Sequence, residues 1–510
     1  MAFAAYVESA VTMSPAIVFA PAIALLGLVA YFSATIVYNL YFHPLASFPG
    51  PFLARSTLLW RLFHSMGGRF HIAIDREHKK YGSVFRVSPN ELSFASVDSW
   101  KAIYGHPMAG KPTLIKSDFY ELYGSGFRSL CVGSERDPRR HGQMRKSLSS
   151  AFSTKALSEQ EHIVDGIVND FVERIGKLGG EGTAGLNLTK WFEMVSFDIL
   201  GSMAFGESFH CLENGKPHFW SELILDHLYF ITLADNLHRF PIVPTLARIL
   251  FPSTMVVKNK NSQYSRDLVA RRLERKSPRK DFLSTLIAKC ESGELDREEL
   301  TAHSSTLVIA GGETTTTFLA ATTFYLLKNP ECHEKLVREI RARFASYEDI
   351  NATAAQQLPY LQAVISEGLR IYPPGSQGFP RVSPGVVIDG HFIPKGTEVY
   401  TSAWTVTHDE KHFEDPMRFN PERWMDPEST DVKEASQPFS LGPRGCLGRN
   451  FAYMQINLIF AKMLWKYDLK LQNPELDWEE QSRMYVMWWK PKAMVHFTAR
   501  SDLEHGRTEV

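Results

Sequence analysis

Charge is missing from the start of this 510-residue chain: between Ser9 and Ala54 there is no lysine, arginine, aspartate or glutamate. A segment so poor in charge is not an ordinary solvated arm. Paired cysteines are also missing. The five present, Cys131, Cys211, Cys290, Cys332 and Cys446, are scattered and show no C-x-x-C spacing, which excludes a disulfide framework and a structural zinc site. Lysine plus arginine and aspartate plus glutamate both total 56, so no charge surplus points to nucleic acid. The one G-x-G-x-x-G match, GEGTAG at 180–185, follows a helical pattern and not a strand, so it does not read as a dinucleotide site, and there is no internal repeat. What is plentiful is apolar surface: the 44% hydrophobic and 12% aromatic content is ample for a large core.

Within the uncharged segment, Ile17 to Tyr38 reads IVFAPAIALLGLVAYFSATIVY. As a helix it would span about 33 Å, close to the hydrocarbon thickness of a bilayer. A cleaved signal peptide is the rival, but no basic residue precedes the run and the run is long for that role; a buried core helix is the other alternative. Glu8 precedes the span, whereas Arg55, Arg61 and Arg69 follow it, which favours a lumenal N-terminus and a cytosolic body. The expected plan is a short lumenal segment (1–16), a transmembrane helix (17–38) and a proline-rich hinge (39–55). Residues 56–510 then form the globular body. FHPLASFPGPF in the hinge reads as a stiff spacer holding that body off the membrane. Beyond it, residues 83–97 predict a hairpin and residues 140–328 are mostly helical in pattern. Strand character returns at 386–402, around a D-G turn, and at 493–499. FPIVPTLARILFP (240–252) is apolar and proline-bounded, and reads as buried or membrane-dipping.

The chemistry concentrates in FSLGPRGCLGRN (439–450). If a helix begins just after Cys446, its N–H groups favour the thiolate. Gly442 and Gly448 would let backbone approach a flat ligand. Arg444 offers a fork for a carboxylate, and Phe439 could shield the sulfur. A thiolate beside a carboxylate-binding arginine suggests haem. Phe439, Gly442, Arg444, Cys446 and Gly448 match F-x-x-G-x-R-x-C-x-G, so the chain resembles the cytochrome P-450 family. Three further stretches support the likeness. AGGETTTT (310–317) resembles the family's oxygen-activating segment, with Glu313 and Thr314 as the implied acid and alcohol that organise protons. Its adjacent glycines are costly in a helix and would let that helix pass close to a haem face. Glu367 and Arg370 in EGLRIYPP, with Arg423 in PERW, resemble the structural triad. His141 and Arg145 in HGQMR, and Arg381 in GFPR, stand where relatives bind haem propionates, although His141 replaces the commoner tryptophan.

The resemblance implies a mainly α fold with small β-sheets, a triangular prism forming a single haem-thiolate domain. Its cofactor would be haem b with Cys446 as axial ligand, working with O2 and NADPH-derived electrons. Those electrons would arrive through a separate membrane reductase, with cytochrome b5 as an optional donor. Arg139, Arg140, Lys146 and Arg449 offer a basic face for such an acidic donor. The implied reaction inserts one oxygen atom into a hydrophobic small molecule, by hydroxylation or epoxidation. The substrate class is terpenoid or polyketide-type, because the wording around the motifs resembles microsomal enzymes of fungal secondary metabolism, and the expected location is the endoplasmic reticulum membrane. Family geometry puts Leu307, Val308, Ala310, Ser376, Gln377, Met487 and Trp488 against the substrate. The rival classes are a haem-thiolate isomerase or dehydratase needing no external electrons, and a non-catalytic haem-binding protein.

Overall fold

The computed structural model describes residues 15–107, 112–124, 126–180, 182–240, 252–275 and 281–500. Most of the expected lumenal segment, and all but the first and last residues of FPIVPTLARILFP, lie outside the described residues. The body is mainly helical with four small sheets. Its axis is one uninterrupted helix, Arg297–Lys328, capped by Asp296, whose carboxylate accepts the Glu298 N–H. That helix lies against Leu188–Leu200 along much of its length, inside the largest apolar core. Gly311 and Gly312 both serve this packing. A Cβ on Gly311 would stand 2.9 Å from Leu200 Cδ2, and one on Gly312 3.1 Å from Phe197 Cε2, so the glycines admit a neighbouring helix. Gly311 also lines the cavity described below, so packing alone accounts for Gly312 and leaves the expected close passage over a haem standing for Gly311.

The principal sheet has five strands in the order Val84–Ser88, Glu91–Phe94, Glu398–Thr401, Arg381–Val382, Ile115–Lys116. Glu91–Phe94 and Glu398–Thr401 run parallel, and the other pairs are antiparallel. Parallel neighbours so distant in sequence require most of the chain to fold between them. The Asp389–Gly390 turn (φ 47° and 77°) joins Val386–Ile388 to His391–Ile393 as the D-G signal predicts. Near the C-terminus Met494–Ala499 pairs with Tyr467–Leu471 and Leu186–Asn187.

The N-terminal helix runs from Pro15 to Val37 and continues as a wider turn over Tyr38–Phe42. Its apolar side chains, Ile23, Leu26, Val29 and Phe32 among them, are exposed. Ala22–Phe42 has a mean hydropathy of 1.8, long and apolar enough to cross a membrane. The hinge differs from the spacer expected. Leu45 and Phe48 are buried against the body, and Arg86, itself fully buried, reaches back to hold the segment. Its Nη1 donates to Asn39 O at 2.7 Å, and its Nε and Nη2 donate to Pro89 O at 3.0 and 2.7 Å. Asn39 Nδ2 also donates to Ser56 O at 2.9 Å. Prolines block helix in this stretch, but buried side chains and satisfied carbonyls make it part of the body. Arg86→Met leaves those carbonyls unpaired. It is expected to cost about 2–3 kcal/mol, read as a lower Tm, and to expose residues 43–50 to limited proteolysis while the rest of the body stays intact.

Candidate active site

The loop Phe439–Gly448 is closed by one backbone hydrogen bond, Cys446 N–H to Phe439 O at 2.8 Å. Ser440 (φ 57°) and Gly442 (φ 66°) turn the chain in the left-handed region. At Gly442 a Cβ would also stand 2.4 Å from Tyr104 O, so both dihedral and space demand glycine. This glycine packs on the Tyr104–Gly105 backbone and does not line the cavity described next, contrary to the role expected from its spacing. Gly448 does line it, and begins the helix Arg449–Lys466. Cys446 is accessible at the cavity wall. Burial pushes its thiol pKa up, while the Gly448 and Arg449 N–H groups and the Arg145 and Arg449 charges pull the other way. Phe439 lies beside the sulfur loop, its ring 5.4 Å from Tyr453 and 5.8 Å from the Arg449 guanidinium.

The cavity runs from this loop to the central helix. At one end it is lined by Lys116, His141, Arg145, Arg381 and Arg444, and no aspartate or glutamate lines it among the described residues. Backbone carbonyls aim these groups: Arg444 donates to Glu135 O and Arg136 O at 2.8 and 2.6 Å, and Arg145 to Gly445 O at 2.6 Å. Arg381 donates to Tyr120 Oη at 2.7 Å and lies over the Tyr104 ring. Burial, then the neighbouring cations, pushes the His141 pKa down to about 3 and Arg444 down to about 10. His141 is therefore a neutral donor. Lys116, which sequence reasoning missed, donates to Val132 O and Gly133 O at 3.0 and 2.7 Å and sits 4.8 Å from the Tyr120 ring. Burial, with Arg444 and Arg381 nearby, drives its pKa well below the ordinary lysine range. No local signal marked it: Lys116 stands on a strand and Tyr120 on the helix that follows, so their approach depends on the fold. So much positive charge without a facing carboxylate suits a ligand bearing two carboxylates, and the thiol stands at the same space. These residues fit iron protoporphyrin.

The opposite wall is the central helix. Leu307, Ala310, Gly311, Thr314 and Thr315 line the cavity at helical spacing. Thr314 Oγ1 donates to Ala310 O at 2.6 Å, leaving its lone pairs toward the cavity. Val308, expected beside Leu307, is fully buried on another face, as a 100° step per residue dictates. The same step turns Glu313 away. It is 1% exposed and accepts from Lys490 Nζ at 2.7 Å, so the expected acid is an ion-pair partner behind the helix and not a cavity residue. Ser376 is buried, its hydroxyl donating to Pro373 O at 2.6 Å, and neither it nor Gln377 lines the cavity; Pro373, Pro374 and Gly375 do. Met487 lines it, whereas Trp488, the next residue of the strand, faces the other side.

Glu367, Arg370 and Arg423 meet away from the cavity. Arg370 Nε and Nη2 each donate to the Glu367 carboxylate at 2.8 Å, and Arg423 Nε at 3.2 Å. Trp424 Nε1 and Asn420 N–H add two more donors at 2.9 Å. A fully buried carboxylate with five donors is a structural joint. A shallow groove elsewhere, lined by Phe219, Glu222, Asp226, Lys260, Tyr264 and Asp267, carries no thiol among the described residues, and its lysine stands with three carboxylates.

A helix-start thiol facing a helix of small residues, across a space with a dicarboxylate-binding end, defines a haem-thiolate protein. The cytochrome P450 family model matches residues 49–497, and the chain belongs to that family. It is 63% identical over 468 residues, 92% of each chain, to the cytochrome P450 monooxygenase ORF9 of Penicillium roqueforti. It is 55% identical to the cytochrome P450 monooxygenase BOT4 of Botryotinia fuckeliana, over 91% of this chain and 89% of that one. A trichothecene C-15 hydroxylase of Fusarium sporotrichioides is 34% identical over 92% of this chain and 96% of its own. The protein is thus an enzyme of the cytochrome P450 monooxygenase class, which carries a cysteine-ligated haem.

Trp488 belongs to a ring cluster behind the cavity, 4.3 Å from Tyr372 and 4.7 Å from His71, with Trp404 stacked on His408 at 4.1 Å. Burial above all, with Arg69 near His71 and Arg370 near His408, pushes both imidazole pKa values down to about 3. Below pH 6.5 the unfolded chain takes up protons at both sites, and the folded chain does not until about pH 3. Stability should therefore fall with pH through that window, by about 1.4 kcal/mol per pH unit for each histidine. His71→Phe should remove one histidine's share of that slope, measured by denaturant unfolding between pH 6.5 and 4.5.

Proposed function

We propose that this enzyme inserts one oxygen atom of O2 into a hydrophobic terpenoid or polyketide-type intermediate of secondary metabolism, by hydroxylation or epoxidation. The observation that carries the reading is a single cavity lined by a thiol, by a cluster of cations and by apolar Phe119, Leu200, Leu307, Phe318, Phe379 and Met487. A relative named as a trichothecene hydroxylase supports the substrate class. Bound haem would supply the oxygen-activating chemistry, with Cys446 as its axial ligand. His141, Arg145, Arg381, Arg444 and Lys116 would hold its carboxylates. Thr314 keeps a proton at Oγ1, shared with Ala310 O, where it can be passed into the cavity and recovered. The apolar wall excludes water and orients the substrate. Glu313, paired with Lys490, has no direct part in this arrangement.

Electrons would come from NADPH through a separate reductase, with cytochrome b5 as a second donor. Exposed Arg139, Arg140, Lys146 and Arg449 offer an acidic partner a docking face. The bare apolar helix Pro15–Val37 supports anchorage in the endoplasmic reticulum membrane, with the N-terminus lumenal.

Cys446→Ala is expected to abolish the thiolate-type carbon-monoxide spectrum. Thr314→Ala should keep that spectrum but shift NADPH-derived electrons from product to peroxide by about tenfold, the effect of ~1.4 kcal/mol. Unchanged coupling would remove Thr314 from its role. Turnover without NADPH and reductase would favour an isomerase or dehydratase. Asn351, in an exposed N-A-T sequon, should remain unglycosylated in a eukaryotic host; a glycan there, read as a glycosidase-sensitive mobility shift, would reverse the topology.

A further inference from the structure

Many polar groups along the cavity are already engaged by protein. Trp100 Nε1 donates to Ala435 O at 3.2 Å, Tyr120 Oη accepts from Arg381, and Thr407 Oγ1 donates to Ala403 O at 2.9 Å. Tyr123 is different. It ends the short helix Phe119–Tyr123, lines the cavity, and its phenol has no hydrogen-bond partner among the described residues. Burial, with Cys131 and Tyr120 close by, pushes its pKa up, so the phenol stays protonated and can both donate and accept.

Gly133 shows what stands beside it. A Cβ there would lie 2.8 Å from Thr306 Cγ2, 3.5 Å from Cys131 Sγ and 3.6 Å from Tyr123 Cε1. Tyr123 and Thr306, from separate helices, therefore converge across the width of one glycine. Thr306 Oγ1 lies 2.9 Å from Cys131 Sγ. Whichever of the two donates, the threonine oxygen keeps capacity for another partner. The result is a polar corner of the cavity wall, close to Lys116, whose Nζ donates to Gly133 O at 2.7 Å, with apolar Leu307 following Thr306 on the central helix. A bare hydrocarbon packed into it would leave a desolvated phenol unpaired, which is unfavourable.

We infer that Tyr123, with Thr306 beside it, anchors an oxygen substituent that the substrate already carries on arrival. This deepens the monooxygenase reading above and rests on it. The preferred substrate is an apolar skeleton bearing an alcohol or ketone, so the reaction that supplies it must leave an oxygen function in place. Gly133 keeps the corner open.

The test uses full-length holoenzyme and two probe series, 1-alkylimidazoles and their ω-hydroxy counterparts, with chains of six to twelve carbons. Dissociation constants are read from the Soret shift on nitrogen ligation. In the parent enzyme one chain length should favour the hydroxylated probe. Tyr123→Phe should lower that hydroxyl preference about 5- to 10-fold and leave the alkyl series within about twofold. Gly133→Ala should lower the preference as well, by filling the corner. The same hydroxyl-to-alkyl ratio in parent and Tyr123→Phe at every length would overturn the inference. If no probe shifts the Soret band of the parent, the haem reading fails first and the anchor falls with it.

Discussion

Lys116, Arg145, Arg381 and Arg444 are gathered around one space that no carboxylate lines among the described residues, an arrangement that is unfavourable until an anion enters. The fold holds it together with dipoles. Each cation donates to at least one backbone carbonyl, from Val132, Gly133, Glu135, Arg136, Phe379, Pro380 or Gly445. Carbonyls orient the charges without neutralising them, so the region keeps its preference for a dianion. They also tie the thiol loop, some 300 residues on, to the loop at 131–136 and the helix Pro138–Ser149, and the strand at 115–116 to that same loop. Assembly of the cofactor end is in this sense the work of its own cations.

The central helix answers a different demand. Its cavity face has to be slim and weakly polar, and its rear face has to pack. Gly311 and Gly312 admit the helix Leu188–Leu200, and Glu313 is pinned by Lys490, so helix cost is offset by tertiary contact. Thr314 gains a place on the cavity face only because its hydroxyl can satisfy itself on Ala310 O. One short run of sequence therefore carries two unrelated functions, divided by the 100° step between neighbours.

Local motifs made much of the site legible. The thiol loop, the His141–Arg145 pair one helical turn apart, and the Glu367–Arg370 pair all depend on spacings within a dozen residues, which the sequence displays directly. The D-G hairpin was legible for the same reason. What could not be read depends on which way a side chain faces or on segments meeting from afar. Val308 and Trp488 sit next to cavity residues in sequence but on opposite faces of their elements. Ser376 and Gln377 miss the cavity because the turn over 374–377 carries the chain away after Gly375. Lys116 reaches it through a sheet pairing with Arg381, and the hinge joins the body through buried Leu45 and Phe48 and through Arg86, which lies some 40 residues beyond it in the sequence.

That sheet links the two regions that sequence reading kept separate. Arg86 lies on one edge strand and pins the segment leaving the N-terminal helix; Lys116 lies on the other edge and Arg381 next to it, both facing the cavity. The parallel pair between them, Glu91–Phe94 with Glu398–Thr401, is braced by a buried charge network. Arg61 bonds Glu91 and Asp235, and Arg239 bonds Asp235 and Glu398. A free linker would leave the body's tilt against the N-terminal helix unset. Here five strands and a buried arginine connect that helix's exit to the cationic end of the cavity through continuous hydrogen bonds. The placing of the cavity relative to the N-terminal helix is consequently a property of the sheet.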